Sequence, residues 1–241
     1  MTTAAELQTV VTVPARFRGP EGAANGGWIA GTVAETAYGA RHDSAVEVTL
    51  HAPTPLDTGL SLRQMANSAT LTHGDDLLVE AIPVTERPAA PEFVPFNKAA
   101  RAESGFPGLA GHAFPGCFAC GLRSPGDGLR IFPGPVSGTD LFAAGWRVPM
   151  TVTDADGAVP DAIVWAALDC ATGWSHFRSG ESALLGRLTA QITRRVYPGG
   201  TYSVVARATG ADGRKLFGES AVYEVDGTLV ASARAVWVTP A

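Results

Sequence analysis

Lysine is almost missing from this chain of 241 residues: Lys98 and Lys215 stand alone, and every other basic residue is arginine. Cysteine is scarce too, and three of them cannot form a complete disulfide framework. Charged residues make up 17%, below the roughly 25% usual in globular domains. With 18 Lys and Arg against 23 Asp and Glu, the net charge is −5, so the chain has no basic footprint for nucleic acid. No apolar run approaches the roughly 18 residues of a membrane span; the longest near the centre is 162–168. Before Arg16 there is neither a basic residue nor an apolar h-region, so no signal peptide is expected. Neither a Gly-X-Y period nor a heptad is visible, which excludes collagen-like and coiled-coil architectures. A cytoplasmic protein without nucleic-acid or membrane partners is the expectation.

What is abundant is apolar and small. Hydrophobic residues reach 46%, with 28 Gly and 17 Pro, a composition that folds rather than stays disordered. The length permits one large domain or two small ones. In the first half, 10–17 suits a strand and a turn-rich stretch leads to Asn25-Gly26-Gly27. An apolar run over 28–38 follows, with Asn25 as helix N-cap and Gly39 as stop. Strands are expected at 45–50, 60–65, 68–72 and 77–85. The stretch 86–114, rich in Pro and Gly, has no clean period and reads as a connection wrapping the surface. Strands at 128–132 and 141–148 then precede a helix over 160–177 with Pro160 near its first turn. Four more strands are expected at 188–196, 202–209, 216–225 and 228–238.

Both halves therefore follow one order: strand, loop, apolar helix, several antiparallel strands. A residue-level echo supports it, because 75–81 matches 226–232 at a constant offset. The expected domains are 1–87 and 115–241, with 88–114 as the connection. Each helix is apolar nearly all round and so belongs inside a curled sheet. In 163–174 the only charge is Asp169. An acid alone on such a helix costs several kcal/mol unless paired, which marks it as a functional candidate against the plainer reading of a structural carboxylate.

Two motifs carry a family resemblance. The stretch Cys117-Phe-Ala-Cys-Gly-Leu-Arg-Ser-Pro-Gly-Asp-Gly-Leu-Arg-Ile131 resembles the Cys-Phe-x-Cys-Gly…Asn-Pro-x-Gly-Leu opening of phenylacetate-pathway-type thioesterases. Asn25-Gly26-Gly27 resembles the His-Gly-Gly that opens the helix in that family, and 17–31 resembles the N-terminal repeat of medium-chain acyl-CoA thioesterases. The chain is thus similar to double hotdog acyl-CoA thioesterases. The resemblance implies an α+β fold of two antiparallel sheets, each wrapped around one central helix and paired edge to edge. It also implies a substrate that is an acyl-CoA or an acyl-carrier-protein thioester, and it leaves room for a homo-oligomer of such chains.

In the family an Asp lies nine residues after the His. Asp169 has Pro160-Asp161-Ala162 in the His-Gly-Gly place, whereas Ala34 stands nine residues after Asn25 and Glu35 comes one position late. One half keeps the glycines and the other keeps the acid. The resemblance therefore implies one site between the halves, with Asp169 as general base or nucleophile and the N–H of Gly26 or Gly27 polarising the thioester carbonyl. Asn25 either caps the helix or hydrogen-bonds the substrate, and Asn-Gly-Gly as a mere turn is the bland alternative. Thr189 is the candidate assistant on the strand after the helix, with Gln191 and Thr193 on the same face, and Arg194 the candidate for coenzyme A phosphates. Ala235 occupies the place of the family's last-strand Gln.

No cofactor and no metal are expected. Cys117 and Cys120 lie in a loop, only His112 and Cys170 could join them, and zinc ordinarily takes four ligands. Cys170 reads as buried packing. Two other functions compete: a non-catalytic acyl-thioester binding protein, and an enoyl-thioester hydratase. The hydratase expects His five residues after the Asp, where Trp174 stands instead, with His176 seven on.

Overall fold

The computed structural model describes residues 7–39 and 44–240. The chain runs β1 (Leu7–Thr12), α1 (Gly26–Tyr38), β2 (Ala45–Leu50), β3 (Gly59–Gln64), β4 (Ala69–His73), β5 (Asp76–Val84), α2 (Phe96–Ala102), β6 (Gly134–Pro135), β7 (Leu141–Arg147), α3 (Asp161–Trp174), β8 (Leu184–Ile192), β9 (Thr201–Asp212), β10 (Lys215–Glu224) and β11 (Leu229–Val238). The strands form one antiparallel sheet in the order β1-β3-β4-β5-β2-β8-β11-β10-β9-β7-β6. Outward from the β2–β8 joint the two halves repeat the same connection order. The sequence echo falls at equivalent places, on β5 and β11. At the joint, 46–49 pairs with 187–190, Val46 opposite Ala190 and Thr49 opposite Arg187.

The sheet curls over α1 and α3. All fourteen residues of α3 are buried, as are eight of α1, which explains why neither helix shows a polar face. Asn25 caps α1 by accepting the Trp28 N–H at 2.8 Å, and Gly39 (φ 80°) ends it. The helices run antiparallel and touch along a seam of small residues. A Cβ on Gly31 would stand 2.7 Å from Ala162 Cα and from Trp165 Cβ, and one on Gly27 would overlap Asp169 Cβ. Among the described residues, no helix is long and apolar enough to cross a membrane.

Several expected boundaries move, each for a local reason. The first strand ends at Thr12, because Pro14 leads into a 3-10 turn over Ala15–Phe17 rather than extending to residue 17. The stretch 128–132 joins no strand, and Arg130 has φ 54°, which breaks the extended run. The connection contains α2, which shows no apolar stripe because only its Ala99 is buried. This connection crosses the face of the sheet opposite the long helices. There Ser232 Oγ donates to Pro88 O, Tyr223 OH donates to Pro91 O, and Val94, Ala99, Val205 and Tyr223 form a small second core.

The small-residue seam sets the helix separation, so Gly31→Val should lower unfolding free energy by about 1–3 kcal/mol. Urea denaturation of the variant beside the native chain measures this, and an unchanged midpoint would refute it.

Candidate active site

Asp169 lies near the middle of α3 and is 1% exposed. Its Oδ2 accepts the Gly27 N–H at 2.8 Å and the Asn25 side-chain N–H at 3.1 Å. Both donors come from the start of α1, so a carboxylate from one half closes on the helix N-terminus of the other, where negative charge is favoured. Oδ1 is buried with no hydrogen-bond partner. Burial pushes the Asp169 carboxyl up to about 7, against the opposing pull of the Gly27 N–H and the Asn25 amide. Asn25 thus caps α1 through its oxygen and orients Asp169 through its nitrogen.

Around Asp169 lies a cavity of about 400 Å³. Asn25, Gly26 and Asp169 share its wall with Cys117, Cys120 and Cys170. Much of the remaining surface is aromatic or aliphatic, from Phe114, Trp174, Phe177, Leu185 and Trp237. His112 also lines it, with its ring edge-on to Phe106 and Trp174. Its Nδ1 accepts the Phe114 N–H at 3.0 Å and Nε2 lies 3.1 Å from Cys120 O, so the tautomer carries its proton on Nε2. Burial holds this imidazole below its usual pKa. The neighbouring thiols of Cys120 and Cys170 lower the pKa of Cys117, that of Cys170 from 3.7 Å. Burial raises Cys120, and the bond to Cys117 raises Cys170.

The expected residues divide sharply. Asn25, Gly26, Gly27 and Asp169 meet, but the Gly27 N–H is engaged by Asp169 and the Trp28 N–H by the Asn25 side chain. Of the three orphan N–H groups at this helix start, Gly26, at the first helical position, is the one that neither side chain takes. Thr189, Gln191, Thr193 and Arg194 do not border the cavity. Thr189 Oγ1 donates to Glu47 at 3.2 Å on the outer face of the sheet, where Gln191 pairs in register with Ser232. Thr193 Oγ1 donates to Val230 O, and Arg194, 55% exposed, pairs with Glu224 at 3.2 Å. Inward-facing positions of β8 are Leu188, Ala190 and Ile192, all in the main core. Glu35 lies at the opposite end of the helix seam, where its Oε2 accepts the Ala162 N–H at 3.4 Å. The aromatic wall is not legible in the sequence, since nothing in its spacing brings residues near 112, 174 and 237 together.

Comparison with solved structures places the fold. A TesB protein of Mycobacterium avium subspecies paratuberculosis superposes with a TM-score of 0.64 at 13% identity, over 97% of this chain and 93% of that one. A conserved protein with hot dog fold from Alicyclobacillus acidocaldarius gives 0.59 at 17% identity, over 97% and 93%. The chain is a double hotdog. Acyl-CoA thioesterase II TesB2 of Mycobacterium marinum gives 0.59 at 11% identity, again over 97% and 93%. No family model matches the sequence, and no curated protein does.

The raised Asp169 pKa carries a stability consequence whose sign is fixed. Between the ordinary value of 3.8 and about 7, the unfolded chain has lost this proton while the folded chain keeps it, so stability falls as pH rises through that window. Asp169→Asn removes the slope. The stability difference, variant minus native, should grow from pH 4 to pH 7 by at most about 4 kcal/mol and stay flat above. Parallel denaturation curves at four pH values test this.

Proposed function

We propose that this double hotdog hydrolyses the thioester of an acyl group carried on coenzyme A or on an acyl carrier protein. One active site serves the chain, between the unit 1–87 and the unit 115–241 that 88–114 connects. The observation that carries the reading is the Asp169 carboxylate, anchored by Oδ2 to the start of α1 with Oδ1 buried and unpartnered, in a residue that lines the cavity. The fold likeness to structures named as acyl-CoA thioesterases supports the same chemistry. Three free cysteines accord with a reducing cytoplasm.

In this reading the thioester carbonyl lies against the first turn of α1. The Gly26 N–H and the positive end of the helix stabilise the developing oxyanion. Asp169 Oδ1 takes a proton from water, the hydroxide adds to the carbonyl carbon, and the tetrahedral intermediate collapses. The C–S bond breaks, and the leaving thiolate receives the proton held by Asp169. A base with a pKa near 7 is matched to neutral pH. The aromatic and aliphatic wall accepts an uncharged acyl group.

Asp169→Asn should reduce kcat by about 10²–10⁴-fold in a free-thiol release assay over an acyl-CoA panel. Glu35→Gln, at the other end of the seam, should change it little. Binding without turnover by the native chain would make it an acyl-thioester binding protein instead, and hydration of an enoyl thioester would make it a hydratase. A single turnover in heavy-oxygen water should leave Asp169 unlabelled; label there would mean direct attack by the carboxylate.

Because the base acts as its anion, kcat/KM should rise with pH on an acid limb whose apparent pKa is near 7. A profile flat between pH 5 and pH 8 would contradict the role of Asp169. The steps use no metal, so the metal-free chain should turn over.

A further inference from the structure

Cys117, Cys120 and Cys170 take no part in the hydrolysis just described, yet they are not scattered packing residues. Their Sγ atoms all lie within 4.8 Å of one another, and those of Cys117 and Cys170 are 3.7 Å apart. Two thiolates held by one tetrahedral zinc-class ion, each at about 2.3 Å, stand about 3.8 Å apart. That edge is already present.

The pair Cys117 and Cys120 belongs to one tight turn. The Gly121 N–H donates to Cys117 O at 3.0 Å, and a Cβ on Gly121 would overlap that same carbonyl, so the turn requires glycine. The backbone of Ala119 and Cys120 beside the Cys117 sulfur favours its thiolate, and outer contacts of that kind orient metal ligands. The third thiol arrives from α3, on the rigid centre of the fold. The Asn25 amide lies 3.7 Å from the sulfurs of both Cys117 and Cys170, supplying a further N–H contact.

We propose that these three cysteines bind one thiophilic divalent cation of the zinc class, with the fourth coordination position open to the cavity. All three residues border that cavity, so an ion has a path in and water or a thiol can complete the tetrahedron. His112 is not the fourth ligand, since both its ring nitrogens are committed to the backbone of Phe114 and Cys120. Among the described residues no other His, Cys, Asp or Glu joins the cluster. Binding exchanges protons for metal: one M²⁺ and three thiols give one M(SR)₃⁻ and three protons released to solvent. The assignment is independent of the hydrolytic reading.

The test is a titration of the reduced, metal-free full chain with cadmium alone. A thiolate-to-cadmium charge-transfer band should grow, saturate at one ion per chain, and accompany proton release. It should be lost in Cys120→Ser and in Cys170→Ser, each verified as folded by circular dichroism. On the unaltered chain, saturating cadmium should block alkylation of all three cysteines, as read by peptide mass. This second readout decides the matter if either variant fails to fold. No band at one equivalent, a band undiminished in both folded variants, or alkylation unaffected by cadmium would overturn the proposal. So would a Cys117–Cys170 disulfide in the isolated chain that reduction does not convert to a metal-binding form.

Discussion

The structure turns on how closely the two long helices approach each other at Gly27. No Cβ fits there, because it would overlap Asp169 Cβ and stand 2.5 Å from Trp165 O. That missing atom lets the carboxylate of one half reach the first turn of the other. Asp169 then satisfies the buried Gly27 N–H, an orphan of the helix start. The same apolar packing withdraws water from the carboxylate and raises its pKa. A steric constraint thereby sets an electrostatic one, and the orientation of the acid follows from both.

How far the sequence reveals this depends on whether the signal is local. Ala45–Leu50 was legible to the residue, since its alternation is bounded by turn formers, and α1 was legible from Asn25 and Gly39. Asp169 stood out because an acid alone on an apolar helix needs a reason. Strand β8 misled because over 188–192 both of its faces are buried. Thr189 is 1% exposed and Gln191 5%, so neither polarity nor period two could say which face meets the cavity. For Cys170 the sequence allowed a meeting with Cys117 and Cys120 but could not choose between it and His112, because the three thiols come from distant segments and only the packing of α3 against the loop brings them together.

The two ends of the helix seam show how the halves have diverged. At one end Asn25 caps α1 and also donates to Asp169. At the other, Pro160 occupies the cap of α3 and offers no side-chain hydrogen bond. Glu35, longer by one methylene, still reaches that helix start, but at 3.4 Å rather than 2.8 Å. Each end keeps an acid against a helix N-terminus, which is good packing electrostatics in both cases. What separates them is the amide of Asn25 and the glycine pair beside it, which hold the acid of one end against the cavity wall.

The ladder joining β2 to β8 has a mechanical meaning. Its backbone hydrogen bonds are reinforced on the outer face, where Glu47 meets Arg187 at 3.3 Å and Arg234 at 3.8 Å. The halves are therefore joined along the floor of the molecule by a continuous ladder, which opposes a clam-shell opening. Traffic is confined to the rim, where the cavity reaches the surface at Glu21, His51, Glu181 and Leu184. Loading and unloading then depend on side-chain hops and loop breathing at that port, motions of nanoseconds to microseconds rather than a slow hinge.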